Sequence, residues 1–116
     1  MNKLKLRGWF LFAVLVAVTA VLHAGEIHKA SETGDADKVR SLLTANPQLI
    51  NSHNAEDDTP LHVAARKGQL AVVKVLLEFN PKLNATNASR LTPLKLAKGF
   101  GHREVAQLLE QRGAPE

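Results

Sequence analysis

A chain of 116 residues has room for one domain, because domains commonly need about 100 to 150 residues to bury a core. The apolar share of 45% suits a globular protein, and four Phe, one Trp and no Tyr leave the interior to Leu, Val, Ala and Ile. With no Cys, disulfides, thiolate metal sites and a lipid-modified Cys behind a leader are all excluded.

The first predicted element is a leader. Lys3, Lys5 and Arg7 stand just before an uncharged run from Gly8 to Leu22, the pattern of a basic n-region followed by an apolar h-region. That run is shorter than the roughly 20 residues a bilayer-spanning helix needs, so a cleaved signal peptide over residues 1–24 is expected. Ala24 is the favoured residue before the cut and Ala20 the second choice, each offering a small side chain there. Two other readings stay open. Lys3 and Leu4 would extend the span of an uncleaved anchor by snorkelling, or the segment is a buried helix of the folded domain, against which stands an apolar run with no amphipathic face. As signal peptide or anchor, the cations stay on the cytoplasmic side and the rest is exported. The domain is then periplasmic or secreted, or anchored in an inner membrane and facing away from the cytoplasm. Removing the leader leaves twelve Lys and Arg against eleven Asp and Glu, a net +1 in place of +4. No nucleic-acid partner is expected, since that would need a concentrated basic face.

Downstream, the spacing of apolar residues predicts three helix pairs. The first helices are expected at Glu26 to Glu32, Pro60 to Lys67 and Pro93 to Phe100, the second at Ala36 to Ala45, Ala71 to Phe79 and Arg103 to Arg112. Thr59 and Thr92 each precede a Pro, so each Thr is placed to cap a helix whose first position tolerates a missing N–H. Gly34, Gly68 and Gly101 stand where first helices end and positive φ is needed. Leu61, Ala64 and Ala65 share one side of their helix, and the small pair lets a neighbour come close. Loops from Leu49 to Asp58 and from Leu83 to Leu91 separate the pairs.

The pairs are copies of one another. TPLHVAARKGQLA at 59–71 aligns without a gap on TPLKLAKGFGHRE at 92–104, an offset of 33, and Ile27-His28-Lys29-Ala30 with Gly34 matches Leu61-His62-Val63-Ala64 with Gly68 at an offset of 34. Length, register and the TPLHVAARKG stretch resemble the ankyrin-repeat family. The resemblance covers Glu26 to Ala114 and implies an all-α solenoid of three repeats (about 26–50, 51–83 and 84–114) with short hairpin-like fingers. About three repeats are needed for independent stability. Ser31 and Lys98, standing where the middle repeat has Ala65, mark the outer repeats as caps, as do Gln107, Glu110 and Gln111. The family usually has Gly where Asp57 and Arg90 stand, which puts the two finger turns in question.

The residue types that carry chemistry have bland readings here. His28 and His62 occupy equivalent places, and the resemblance implies that they hydrogen-bond within the repeat and steady the fingers. His53 and His102 lack a partner at ligand spacing, and Glu56-Asp57-Asp58 lacks the alternating oxygen ligands of a calcium loop. No H-E-x-x-H, nucleophile elbow or Gly-rich phosphate loop is present. Neither catalytic residues nor a cofactor nor a metal is expected. The resemblance implies a non-catalytic monomer that binds an unidentified protein along its fingers and first helices. The expected contacts are Glu32 and Thr33; His53, Ala55, Glu56 and Asp58; Arg66 and Lys67; Thr86, Ala88, Ser89 and Leu91; and Phe100 beside Gly99. A small-ligand or metal-binding protein is the alternative from another class, and a hydrolase a third; both need a convergent polar pocket.

Overall fold

The first helices start and stop as their sequences dictate. In a computed structural model that describes residues 25–116, α3 spans Pro60–Lys67 and α5 spans Pro93–Gly99. The Thr59 hydroxyl accepts the His62 amide at 3.3 Å and the Thr92 hydroxyl accepts the Lys95 amide at 3.2 Å, with Pro at the start of each helix. Such a cap contributes about 1 kcal/mol. α1 is described over residues 25–33 and α2 spans Ala36–Ala45, while α4 and α6 span Leu70–Glu78 and Arg103–Gln111. No strand occurs among the described residues. The leader expected over residues 1–24 lies outside them. Within residues 25–116 no helix is long and apolar enough to cross a membrane.

The helices form two layers, α3 packing on α5 in one and α2 on α4 in the other, with α3 and α4 closing one pair and α5 and α6 the next. Ala64, Ala65 and Ala97 are buried where first helices meet, and Leu43, Val73, Leu76, Val105 and Leu109 fill the seam between second helices. Each buried Leu or Val contributes roughly 1.5–3 kcal/mol relative to exposure. At the ends of the stack the same register turns polar. Lys38 and Ser41 are exposed where the second repeat buries Val72 and Val75, and Glu110 is exposed where it buries Leu77. Lys98 reaches Glu110 at 2.8 Å and Glu116 at 3.0 Å. Ser31 does not behave as a solvent-facing cap residue: it is buried, and its hydroxyl donates to the Ile27 carbonyl at 2.7 Å. That bond to its own helix lets a polar residue stand in for Ala.

Consecutive repeats are also joined by side chains at the ends of the first helices. Gln69 Nε2 donates to the Glu32 carbonyl at 2.9 Å, and one repeat on, His102 Nε2 donates to the Arg66 carbonyl at 2.9 Å. Each donor lies against a glycine in the left-handed region, Gly34 (φ +86°) and Gly68 (φ +72°), and a Cβ on Gly68 would overlap the His102 ring. Gly68→Ala therefore adds backbone strain to a lost inter-repeat bond. It is expected to cost about 2 kcal/mol in urea denaturation followed by circular dichroism.

The finger read as beginning at Leu49 begins later. Residues Pro47–Asn51 form a 3-10 turn that buries Leu49 and Ile50. Asn46 caps this turn through the Gln48 amide at 3.2 Å, so those two apolar residues belong to the core. Both finger turns keep the left-handed residue that the family pattern assigns to Gly, with Asp57 at φ 58° and Arg90 at φ 62°. Arg is a poor occupant of that region. Arg90→Gly is expected to raise stability by about 0.5–1 kcal/mol, measurable as a shifted urea midpoint at constant slope.

Candidate protein-binding face

The face is built from the fingers upward. Asn54 and Asn87, equivalent residues 33 apart, each fold a finger tip by accepting two backbone amides through Oδ1. Asn54 takes those of Glu56 (3.0 Å) and Asp58 (2.9 Å), and Asn87 takes those of Ser89 (3.0 Å) and Leu91 (3.0 Å). The two tips are then tied together, the Ala88 amide donating to the Glu56 carbonyl at 3.0 Å and Asn87 Nδ2 donating to Asp58 Oδ1 at 2.9 Å. Neither Asn stands out in the sequence except through the 33-residue register.

From beneath, the histidines steady the fingers as the resemblance implied, but each Nε2 bonds the finger of the following repeat and not one within its own. His28 Nε2 donates to the Asp58 carbonyl at 2.8 Å, and His62 Nε2 donates to the Leu91 carbonyl at 3.0 Å. His62 Nδ1 accepts from the Thr59 amide at 3.1 Å and the Thr59 hydroxyl at 2.8 Å, which fixes the neutral tautomer with its proton on Nε2. Burial pushes the His62 imidazole below its ordinary value, and the carbonyl of Leu91 and the charge of Asp58 only partly oppose it. A low pKa in a fully bonded ring marks a structural histidine here.

Twelve of the thirteen expected contact residues reach solvent. Glu32, Thr33, His53, Ala55, Glu56, Lys67, Thr86, Ala88, Ser89 and Phe100 are exposed, and Arg66 and Leu91 are half-buried. Asp58 is the correction: its side chain is 0% exposed, so no partner reaches it. Its Oδ2 makes an ion pair with Arg66 Nη2 at 2.7 Å without the alignment of a hydrogen bond. Asp58 thus orients Arg66. Between α1, α3 and the first finger runs a groove of about 460 Å³ lined by Glu32, Glu56, Arg66 and Lys67 together with Lys29 and Val63, two residues the sequence reading passed over. Lys67 lies 3.7 Å from Glu32 across it. Thr86, Ala88, Ser89, Leu91 and Phe100 belong to the next repeat and are not part of this groove. Among the described residues no three His, Asp or Glu are grouped to hold a metal ion.

Three stacked helix pairs, with paired fingers held by a histidine in each of the first two first helices, agree with the comparison to known families, in which the family model described as Ankyrin repeats (3 copies) matches residues 27–115. The chain belongs to the ankyrin-repeat family. Its relatives are diverse. It is 40% identical over 79 residues to the serine/threonine-protein kinase VIK of Arabidopsis thaliana, covering 68% of this chain and 18% of that protein. It is 31% identical over 93 residues to the ARF GTPase-activating protein GIT2 of Rattus norvegicus (80% and 12%). With the transient receptor potential cation channel subfamily A member 1 homolog of Caenorhabditis elegans it shares 35% identity over 88 residues (76% and 7%). The chain thus spans less than a fifth of each of these relatives, and their named activities belong to those proteins. Ankyrin repeats are protein-interaction modules.

Proposed function

We propose that this chain is an exported ankyrin module that binds one protein partner through its fingers and first helices. It acts as a monomeric adaptor, inhibitor or stabiliser in the periplasm or outside the cell. The observation that carries the reading is the construction of the face. Finger tips tied to each other and to the first helices present exposed side chains on a pre-formed frame, which lowers the entropy lost on binding. The basic and apolar leader supports export, and the polar ends of the stack, where Lys38, Ser41 and Glu110 replace buried Val and Leu, support a monomer. A leader that stays uncleaved makes the same module a membrane-tethered scaffold; the mass of the mature protein separates the two, cleavage after Ala24 leaving Gly25 first.

The test begins with affinity purification from the exported fraction and mass spectrometry of what comes with the protein. Phe100→Ala with Lys67→Ala is then expected to weaken the recovered partner by about tenfold or more, while Lys74→Ala on the second-helix side leaves binding unchanged. Undiminished binding by a folded Phe100/Lys67 variant would rule out the face. Arg66 is unsuited to this test because its guanidinium neutralises buried Asp58.

A further inference from the structure

The three turn positions that read Glu56-Asp57-Asp58 in the first finger read Ser89-Arg90-Leu91 in the second, so the finger face changes charge from one repeat to the next. No carboxylate occurs between Glu78 and Glu104, whereas Lys82, Arg90, Lys95, Lys98 and Arg103 all do. In the groove beside the first finger two of the three cations are matched, Arg66 by Asp58 at 2.7 Å and Lys67 by Glu32 at 3.7 Å, and Lys29 is not. On the third repeat, Lys98 is taken by Glu110 and Glu116. Arg90 and Lys95 are exposed and have no ion pair among the described residues.

The apolar component lies on the same repeat. Phe100 stands where the second repeat has Lys67, and Leu96 where it has Val63, both of which line the first groove. Leu96 is buried, Leu91 is half-buried, and Phe100, at 60% exposure, is the one exposed large hydrophobic side chain among the described residues. A phenylalanine left in water on the same repeat as two unmatched cations suits an aromatic anchor within a polar rim.

We propose that the third-repeat end of the face seats an acidic segment of a protein partner in which carboxylates alternate with aromatic or aliphatic side chains. Its carboxylates meet Arg90 and Lys95, and an apolar side chain covers Phe100 against Leu91. This rests on the reading of the face as a protein-binding surface and adds the chemistry of what it binds. Neighbouring Glu56 and Asp57 on the first finger repel the same segment, so the charge pattern also sets which end of the face it occupies. Rim charges of this kind act on association rate and orientation more than on depth of binding, so the effect weakens with salt.

The experiment uses three short fluorescein-labelled peptides that share alternating Phe and Leu, with Glu, Gln or Lys between them, titrated with the full chain and read by fluorescence anisotropy. At low salt the Glu peptide is expected to bind about tenfold tighter than the Lys peptide, with the preference shrinking at physiological salt. Arg90→Glu with Lys95→Glu reverses the order, the milder Arg90→Gln with Lys95→Gln removes the preference, and Phe100→Ala weakens the Glu peptide by about fivefold to tenfold. Equal binding of the three peptides, no binding of any, or an order that survives charge reversal in a folded variant overturns the proposal. So does tighter, reversal-sensitive binding to phosphatidylserine vesicles or single-stranded DNA, which would assign the patch to another class of partner. A co-purified partner lost on Phe100→Ala with Lys67→Ala but indifferent to charge reversal would leave the protein-binding face standing and remove the acidic segment alone.

Discussion

Arg66→Ala is expected to lower stability by about 3 kcal/mol, a large share of what a short stack has to spare. Asp58 is fully buried; its Oδ1 accepts from Asn87 at 2.9 Å, and its Oδ2 has only the Arg66 guanidinium at 2.7 Å. Deleting the cation leaves a buried carboxylate with half its oxygens unanswered, and the cost is chiefly the desolvation of that charge. Asp58→Asn in the Arg66→Ala background keeps an oxygen for Asn87 and removes the charge, so the double variant should recover about 1–2 kcal/mol over the single one. Lys67→Ala, whose Glu32 partner is solvent-exposed at 3.7 Å, should change stability by less than about 0.5 kcal/mol. Urea denaturation of the four chains gives these numbers. An Arg66→Ala variant as stable as the parent would show that the buried Asp58 carboxylate does not depend on Arg66.

What was legible in the sequence is what local chemistry encodes. Thr-Pro at the start and Gly at the end mark α3 as Pro60 to Lys67, and those are its observed bounds. α5 ends at Gly99 instead of Phe100 and α4 begins at Leu70 instead of Ala71, single-residue differences of the kind that frayed ends produce. The errors arise where a residue's environment is set by another repeat. Glu56-Asp57-Asp58 looks like one solvated run, yet Asp58 alone is enclosed, by Arg66 eight positions on and by Asn87 from the next finger. The 33-residue register that pairs Asn54 with Asn87 carried a signal for that enclosure, since a polar residue repeated at a finger tip points to a shared turn bond. Leu49 and Ile50 read as finger for a different, local reason: the turn capped by Asn46 folds them back into the core.

His62→Ala is expected to cost about 3 kcal/mol at pH 8, because one ring answers the Leu91 carbonyl (3.0 Å), the Thr59 amide (3.1 Å) and the Thr59 hydroxyl (2.8 Å). The same substitution should also change the response to acid. Burial holds the folded-state pKa below the ordinary 6.5, with Asp58 opposing and Arg66 reinforcing that shift. Below pH 6.5 the unfolded chain therefore binds a proton that the folded ring does not, since protonating Nδ1 would break the bond from the Thr59 amide. The stability due to this neutral ring is complete above the unfolded value. It falls as pH drops from 6.5 toward the folded value, by at most about 1.4 kcal/mol per pH unit. His62→Ala removes this term while the remaining titrations stay common to both chains, so the gap between parent and variant should be widest near pH 8 and narrow steadily below 6.5. Urea midpoints measured from pH 8 to pH 5 test it, and a gap that stays constant with pH would mean that the imidazole gains its proton as readily in the fold as outside it.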